Sequence, residues 1–584
     1  MANERQDFGV LYGQKTTGEH DHLLIYSSYE DSKASPQTGD FIVLTPRDES
    51  GNKFLARVEA EVYDEDPIFR SQDKTLVAVH YARIAERELS DRDKQKMFSY
   101  TYKVKILGTF SSDGKDFITA VRKLPTVAYH ARHLTPREFN NILNRSNESG
   151  VPIGKLCIGD DIQKEKEWIL FDTEKLKEKR TMVFAQSGFG KTNLMKVLIH
   201  NSFKDKTNGK LIFDLNGEYF LKSQTQRTYG FGDIDDSNIK DNLVVYSDKP
   251  IPSIYNDRFI FGGKVKINFS KDFTINDILQ NSAGITNAGR NFLEYIDSLP
   301  NVNDVRHFLS MIFNESDPSK LRQYAYTKFA SYFESAKKKT KEDTASEELD
   351  VSTANKSMLG AVVRQIKGFS SIHDNSSNIV ETVLKYLREG RTVIIDLSLK
   401  DNIEASLIST VLVKKLFENN KAEFTKIIDE GTAQLFESPA GVIKATIFVE
   451  EAQNVLSDEF VRTNANPFVR IAKEGRKFGL GLVAITQRPS AISEEIRSQA
   501  ENFFVMYMGN SRDIKALVDS NINYDGVIAK FIQSETISGN LYMVSAKQSF
   551  AIPLRVMWFE KMVKDKVYKS SRFKESEFPE LYSK

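Results

Sequence analysis

The chain reads as an α/β protein: a parallel-sheet core, a small β-barrel in front of it and a helical insertion within it. Three observations predict this. Residues 1 to about 125 are a succession of short strand-like runs with polar turns. From about 151, apolar β-branched runs alternate with helical patterns, the texture of a parallel sheet covered on both faces. Residues 272 to about 388 interrupt that alternation with many helix formers and few strand-like runs.

The barrel strands are expected at His22–Tyr26, Phe41–Leu44, Phe54–Val58, Thr75–Val79, Tyr100–Val104 and Phe117–Val121, with a hairpin-type loop at Asp48–Asn52. Residues 126–150 read as a connector with a helical stretch, Thr135 to Ser146. The core divides into 151–271 and 389–560, flanking the insertion 272–388 and followed by a charged tail, 561–584. Its strands are expected at Met182–Phe184, Lys210–Asp214, Thr392–Leu397, Ala445–Val449, Gly481–Gln487 and Phe503–Tyr507, with two more runs between Leu541 and Phe559. Lys337–Asp343 and the Ser/Thr/Glu-rich residues to Asn355 read as a solvated loop, compatible also with a nucleic-acid contact.

The strongest local signal is Ala185-Gln186-Ser187-Gly188-Phe189-Gly190-Lys191-Thr192 between an apolar run and the helical pattern Asn193–Ile199. Strand, glycine loop, helix is the arrangement that cradles the phosphates of a nucleoside triphosphate, because small residues let backbone N–H groups turn inward. Ser187, Gly188, Phe189, Gly190 and Asn193 are the expected lining. Lys191 is expected to reach the β and γ phosphates and Thr192 to ligate Mg²⁺. Ala185 stands where the pattern usually has its first glycine.

Phosphate binding alone does not separate a kinase from a hydrolase. Ala445–Val449 reads as a buried parallel strand and ends in Glu450-Glu451. Two carboxylates at the tip of a core strand suit two tasks. Glu450 can hold Mg²⁺ directly or through water, and Glu451 can orient and deprotonate the attacking water. An acidic pair at a helix start would also favour the helix dipole, so the pairing with the glycine loop carries the reading. A second acid suited to base chemistry points to NTP hydrolysis rather than phosphoryl transfer to a small molecule.

Other residues are candidates with open alternatives. Asp214 and Glu218 follow the second core strand, where carboxylates face the ligand crevice of such sheets. They could tune the Mg²⁺ shell, contact a neighbouring subunit, or simply decorate a turn. Arg476, and after it Arg470, could supply charge to an adjacent subunit's phosphoryl group, or be solvated cations on a surface helix. Gln487 could hydrogen-bond the γ phosphate or its attacking water.

Bulk properties bound the answer. A chain of 584 residues exceeds one core and implies two to four domains. It carries 81 Lys plus Arg against 80 Asp plus Glu, so any nucleic-acid surface must be local or built by a ring of subunits. Cys157 is the single cysteine, which excludes an intrachain disulfide and fits a reducing cytoplasm. No apolar run approaches the roughly 18–20 residues that cross a bilayer, so no membrane partner is expected.

Together the segments AQSGFGKT, IFDLNGEY, IFVEEAQ and EGRKFGLGLVAITQRPS resemble the HerA branch of the HerA/FtsK superfamily. The last is the most specific, an Arg-Lys-Phe-Gly turn leading into a strand that ends Thr-Gln-Arg-Pro-Ser. The resemblance implies a RecA-like ATPase core, a small N-terminal barrel and hexameric rings that pull double-stranded DNA through a pore. It implies ATP and Mg²⁺ at Lys191, Thr192 and Glu450, with Glu451 as catalytic acid, Arg476 acting in trans and Gln487 as sensor. It also implies a partner: a nuclease of the NurA type in repair, or, in anti-phage defence, another nuclease or a sirtuin-like NADase. Two positions depart from the family pattern. Gln453 stands where His is common, and Asp214-Leu215-Asn216-Gly217-Glu218 where Asp-Pro-His-Gly-Glu is common. Two functions therefore remain open, a DNA translocase or an assembly ATPase that licenses a partner effector.

Overall fold

The structure, a computed structural model, describes residues 7–564 except for internal stretches, the longer of which are 29–35, 65–98, 111–116, 163–167, 223–227, 336–347 and 430–440. The strand expected at Thr75–Val79, the Lys337–Asp343 run and the tail beyond 564 lie outside the described residues.

The N-terminal strands are β1 (Asp7–Thr17), β2 (His20–Ser28), β3 (Phe41–Thr45), β4 (Phe54–Asp64), β5 (Ser99–Phe110), β6 (Phe117–Ile118) and β7 (His130–His133). They run in the order β2-β1-β7-β3-β4-β5-β6, and β2 also pairs with β5, so six antiparallel strands close on themselves with β6 appended. Closure satisfies every strand edge within the ring. Phe8, Leu11, Ile25, Ile42, Leu44, Val58, Tyr102 and Val104 fill the interior. Phe41 and Val43 point the other way and pack on the core instead, which is why all five residues of β3 are buried.

Three details differ from the sequence reading. His130–His133, inside the stretch read as a connector, is the strand that joins β1 to β3. Its residues are His, Ala, Arg and His, and only Ala131 joins the barrel interior, so it shows no hydrophobic alternation. The Phe117–Val121 strand shrinks to two residues. β1 escaped notice because Gly9, Gly13 and its polar end dilute the strand composition.

The core is a thirteen-stranded sheet. Its strands are β8 (Val151–Ile158), β9 (Asp161–Ile162), β10 (Trp168–Phe171), β11 (Arg180–Phe184), β12 (Gly209–Asp214), β13 (Leu243–Tyr246) and β14 (Ile260–Gly263). They continue as β15 (Thr392–Asp396), β16 (Ala445–Val449), β17 (Leu480–Thr486), β18 (Asn502–Val505), β19 (Asn540–Val544) and β20 (Ile552–Val556). The order is β10-β8-β20-β19-β18-β11-β17-β16-β12-β15-β13-β14, with β9 against β8. The eight strands from β18 to β14 are mutually parallel. β19, β20, β8, β9 and β10 form an antiparallel wing, so the sheet is mixed rather than wholly parallel.

Central strands are buried on both faces, with alternate residues entering two separate cores. Met182 and Phe184 face one and Val183 and Ala185 the other; Leu211 and Phe213 likewise alternate with Ile212. The first core is shared with the insertion, whose described elements between 272 and 388 are helices, among them Asn287–Asp297, Val302–Asn314 and Pro318–Lys328. A helix spans Glu348–Lys367, so part of the stretch read as a loop is helical. Helix Ile379–Arg388, the last of the group, packs its Ile379, Val380, Val383 and Leu387 into the same core as β15. The second core lies under the helix Lys191–Ser202 and continues onto the barrel, where the Phe41 and Phe550 rings are 5.7 Å apart. No helix among the described residues is long and apolar enough to cross a membrane.

Candidate active site

β11, β17 and β16 lie side by side and parallel, with Phe184 opposite Thr486 and Val449 opposite Ala484. The residues that follow these strands therefore emerge at one edge. Ala185 leads the glycine loop, Gln487 follows β17 and Glu450-Glu451 follow β16. A cavity of about 630 Å³ opens there, lined by Ser187, Gly188, Gly190, Lys191, Thr192 and Asn193 on one side and Glu450, Glu451 and Gln487 on the other.

The loop geometry depends on its glycines. Gly188 and Gly190 have φ of +85° and +100°, and Gly190 is the residue from which the helix Lys191–Ser202 starts. Side chains at those values are strained, so glycine lets the N–H groups converge. Phe189, expected among the lining residues, does not line the cavity. It stacks on Tyr507, centroids 4.4 Å apart, while Gln186 N donates to Tyr507 O. From outside, Ser538 Oγ donates to Gly188 O at 3.0 Å and Gly539 N to Phe189 O at 3.1 Å. Lys191 Nζ donates to Ala185 O at 2.9 Å. Burial lowers its pKa, opposed by Glu451, Glu450 and Glu218. One turn on, buried Lys196 donates to Thr228 Oγ1 and Tyr229 O.

The two acids are held differently. Glu450 accepts from Tyr219 OH at 2.9 Å and from Asn216 Nδ2 at 3.3 Å. Burial, with Asp214, Glu218 and Glu451 nearby, pushes its pKa up to about 8, so the carboxylate calls for a cation beside it. Glu451 sits at φ +47°, an uncommon backbone setting for a residue with a side chain, and strain of that kind clusters at functional sites. Gln453 Nε2 donates to one of its oxygens at 2.7 Å and Gln487 Nε2 to the other at 3.1 Å. Thr486 Oγ1 in turn donates to Gln453 Oε1 at 2.6 Å.

Asp214 faces away from the cavity. It accepts from the backbone N–H groups of Gly217, Glu218 and Tyr219, and so shapes the turn that presents Asn216, Glu218 and Tyr219. Burial raises its pKa to about 6, with the neighbouring Asp396 adding to it and the three N–H donors opposing it. Glu218 lines the cavity.

Residues 151–416 match the family model of the HerA helicase central domain, and residues 373–508 match that of zonular occludens toxin (Zot). The second match covers β15 to β18 and lacks the glycine loop. A probable helicase of Methanocaldococcus jannaschii is 23% identical over 87% of this chain and 83% of its own length. The DNA double-strand break repair helicase HerA of Sulfurisphaera tokodaii is 25% identical over 72% of each chain. Residues 151–416 are thus a HerA-type ATPase domain, and the likeness to HerA helicases extends over most of the chain. Among solved structures, the plasmid coupling protein TrwB with ADP and Mg²⁺ aligns with a TM-score of 0.42 and 14% identity, over 70% of this chain and 95% of that one. VirB4 of Thermoanaerobacter pseudethanolicus aligns at 0.37 and 13%, over 70% of this chain and 96% of that one.

As a HerA-type P-loop enzyme the protein is an ATP hydrolase. Of the residues singled out in the sequence, Ser187, Gly188, Gly190, Lys191, Thr192, Asn193, Glu218, Glu450, Glu451 and Gln487 all line the cavity. Arg476 and Arg470 do not. Arg476 lies in the turn Gly475–Phe478 that precedes β17, at the opposite end of the strand from Gln487. Six residue steps along a strand put it about 20 Å from its own cavity. Both arginines are exposed, and their guanidinium groups make no ion pair with a described residue.

Sequence reasoning missed Gln453, Asn216, Tyr219, Ser538 and Trp558. Gln453 was visible as two residues beyond Glu451, and Asn216 and Tyr219 lay inside the quoted IFDLNGEY segment. Ser538 and Trp558 carry no local signal, because the antiparallel wing alone brings them to the cavity. The donor set fits Mg²⁺. A Thr hydroxyl and a carboxylate share one cavity with the phosphate loop, and Mg²⁺ at such sites takes one or two protein ligands, phosphate oxygens and water. Accordingly, no group of three or more His, Cys, Asp or Glu forms a metal cage among the described residues.

Proposed function

We propose that the protein is a ring-forming ATPase that couples ATP hydrolysis to movement of double-stranded DNA, acting with a partner nuclease or NADase in end processing or anti-phage defence. The observation that carries the hydrolytic part is the convergence of Lys191, Thr192, Glu450, Glu451 and Gln487 around one cavity. The DNA part rests on the helicase relatives, which span most of the chain.

In this reading the loop N–H groups and Lys191 bind the triphosphate. Thr192 and Glu450 hold Mg²⁺, which when bound neutralises charge on the phosphate oxygens. Glu451 takes a proton from the water that attacks the γ phosphorus. Gln453 and Gln487 fix the direction in which its lone pairs face. Gln487 is also placed to sense the loss of the γ phosphate. Arg476, far from its own cavity and exposed, suits delivery to a neighbouring subunit in a hexamer.

Hydrolysis measured with Glu451→Gln, Lys191→Ala and Arg476→Ala tests the assignment. Glu451→Gln should bind ATP and lose turnover, while Lys191→Ala should bind ATP weakly. Rings mixed from Arg476→Ala and Glu451→Gln subunits should regain activity, since some interfaces then carry both intact groups. Full turnover by Glu451→Gln would overturn the chemistry, and no regain would overturn action in trans. Duplex DNA should stimulate hydrolysis severalfold. Hydrolysis indifferent to DNA but raised by a partner would favour an assembly ATPase.

A further inference from the structure

The cavity is also lined by residues that flank the antiparallel wing, Ser538, Trp558 and Glu560, to which none of the assigned roles falls. We propose that Trp558 is the platform on which the nucleobase of the bound nucleotide stacks. The inference rests on the ATP-site reading above and adds the orientation of the nucleotide within it.

Trp558 lies just beyond β20 and lines the same cavity as Lys191 and Thr192. It is 43% exposed, one of the larger aromatic surfaces that the fold leaves open. Its neighbours are not free to move. Asn193, the second residue after Lys191, donates through Nδ2 to Met557 O at 3.0 Å and accepts from Phe559 N at 2.8 Å. One amide thus grips the chain on both sides of Trp558 and ties it to the first turn of the phosphate-binding helix. Met557 N also donates to Ile153 O, and Val556 N to Gly539 O, beside the Ser538–Gly539 contact with the loop. Phe559, on the far side, is wholly buried against Phe231 and His200. The indole is therefore a half-exposed ring on a mount tied to the helix that follows the glycine loop.

The direction of the ligand follows. Glu451, Gln487 and Glu450 mark the end where the γ phosphate is attacked. In the sheet order β16 and β17, which carry these groups, lie on one side of β11 and its glycine loop, and β19 and β20, which carry Ser538 and Trp558 at their ends, lie on the other, the side to which ribose and base would extend. A planar, poorly hydrated base beside a half-exposed indole gains by stacking, and stacking tolerates any base because each has a π face. The residues around the ring give Asn193 a role other than phosphate contact: its side chain is committed to holding Trp558 in place.

Trp168 and Trp558 are the two tryptophans of the chain, which makes a direct readout available. In a Trp168→Phe background, ATP should change the emission of Trp558, and inorganic tripolyphosphate, which has no base, should not. In otherwise unaltered protein, Trp558→Ala should weaken ATP binding roughly tenfold while leaving tripolyphosphate affinity within twofold. Trp558→Phe, which keeps a ring, should recover most of the loss. Unchanged tripolyphosphate binding also shows that the variant is folded. Equal loss for both ligands, or no loss for ATP, would overturn the platform and leave the phosphate site standing. Failure of the parent protein to bind either ligand would overturn the site reading itself, and the platform with it.

Discussion

Replacing Gln453 by Ala tests how Glu451 is made ready for catalysis. Glu451 projects from a left-handed backbone position, and each of its oxygens receives one amide donor, Gln453 at 2.7 Å and Gln487 at 3.1 Å. Gln453 is itself oriented by Thr486 Oγ1 at 2.6 Å. The substitution removes the shorter of the two donors to the carboxylate. A hydrogen bond to a charged group contributes roughly 1.5–3 kcal/mol. Fully expressed in the transition state, that range corresponds to about 10- to 150-fold in rate. Gln487 still holds the other oxygen, so a loss in kcat of about tenfold is expected, with little change in KM for ATP. Steady-state hydrolysis beside equilibrium nucleotide binding measures both. Gln453→His, which keeps a donor, should recover much of the rate. If Gln453→Ala turns over within twofold of the parent, Glu451 does not depend on this clamp and the orientation argument fails.

Tyr219→Phe removes the 2.9 Å bond to Glu450 and should raise the Mg²⁺ concentration needed for half-maximal hydrolysis severalfold; an unchanged Mg²⁺ titration would reject the link. Phe550, buried between wing and barrel, packs on Phe41 and Phe117, so Phe550→Ala should cost roughly 3–5 kcal/mol and lower the melting temperature measurably. Burial raises the Asp233 carboxyl to about 6, opposed by bonds from Gly230 N and Tyr255 OH. Its stabilising contribution is therefore complete below about pH 3.8 and is lost as pH rises through 6, a swing of roughly 3 kcal/mol at most. Asp233→Asn should accordingly gain in melting temperature relative to the parent between pH 4 and pH 7, and a constant difference across that range would refute the shift.

The parts of this fold that were legible in the sequence are those whose residues obey a local rule. β11, β12, β15, β16 and β17 are short runs buried on both faces, and the glycine loop and acid pair sit at their ends. The antiparallel wing was harder to see. β8 carries Pro152 and Gly154, and β10 is four residues long. Gly154 has to stay small because a Cβ there would meet Arg555 O of β20 at 2.3 Å, a requirement that exists only after folding. β13 and β14 were missed for their length, four residues each. At the site, residue types announced Lys191 and Glu451, whereas the inward turn of Asp214 toward three backbone N–H groups depends on the path of the following chain.

The β19–β20 hairpin touches three things at once. Phe550 at its turn meets the barrel, Ser538 and Gly539 at its base brace the glycine loop, and Met557 and Phe559 at its exit grip Asn193. A displacement of the N-terminal module would thus be passed along this ribbon to the edge of the cavity. Barrel and cavity are connected in this way by about twenty residues, Ser538 to Phe559.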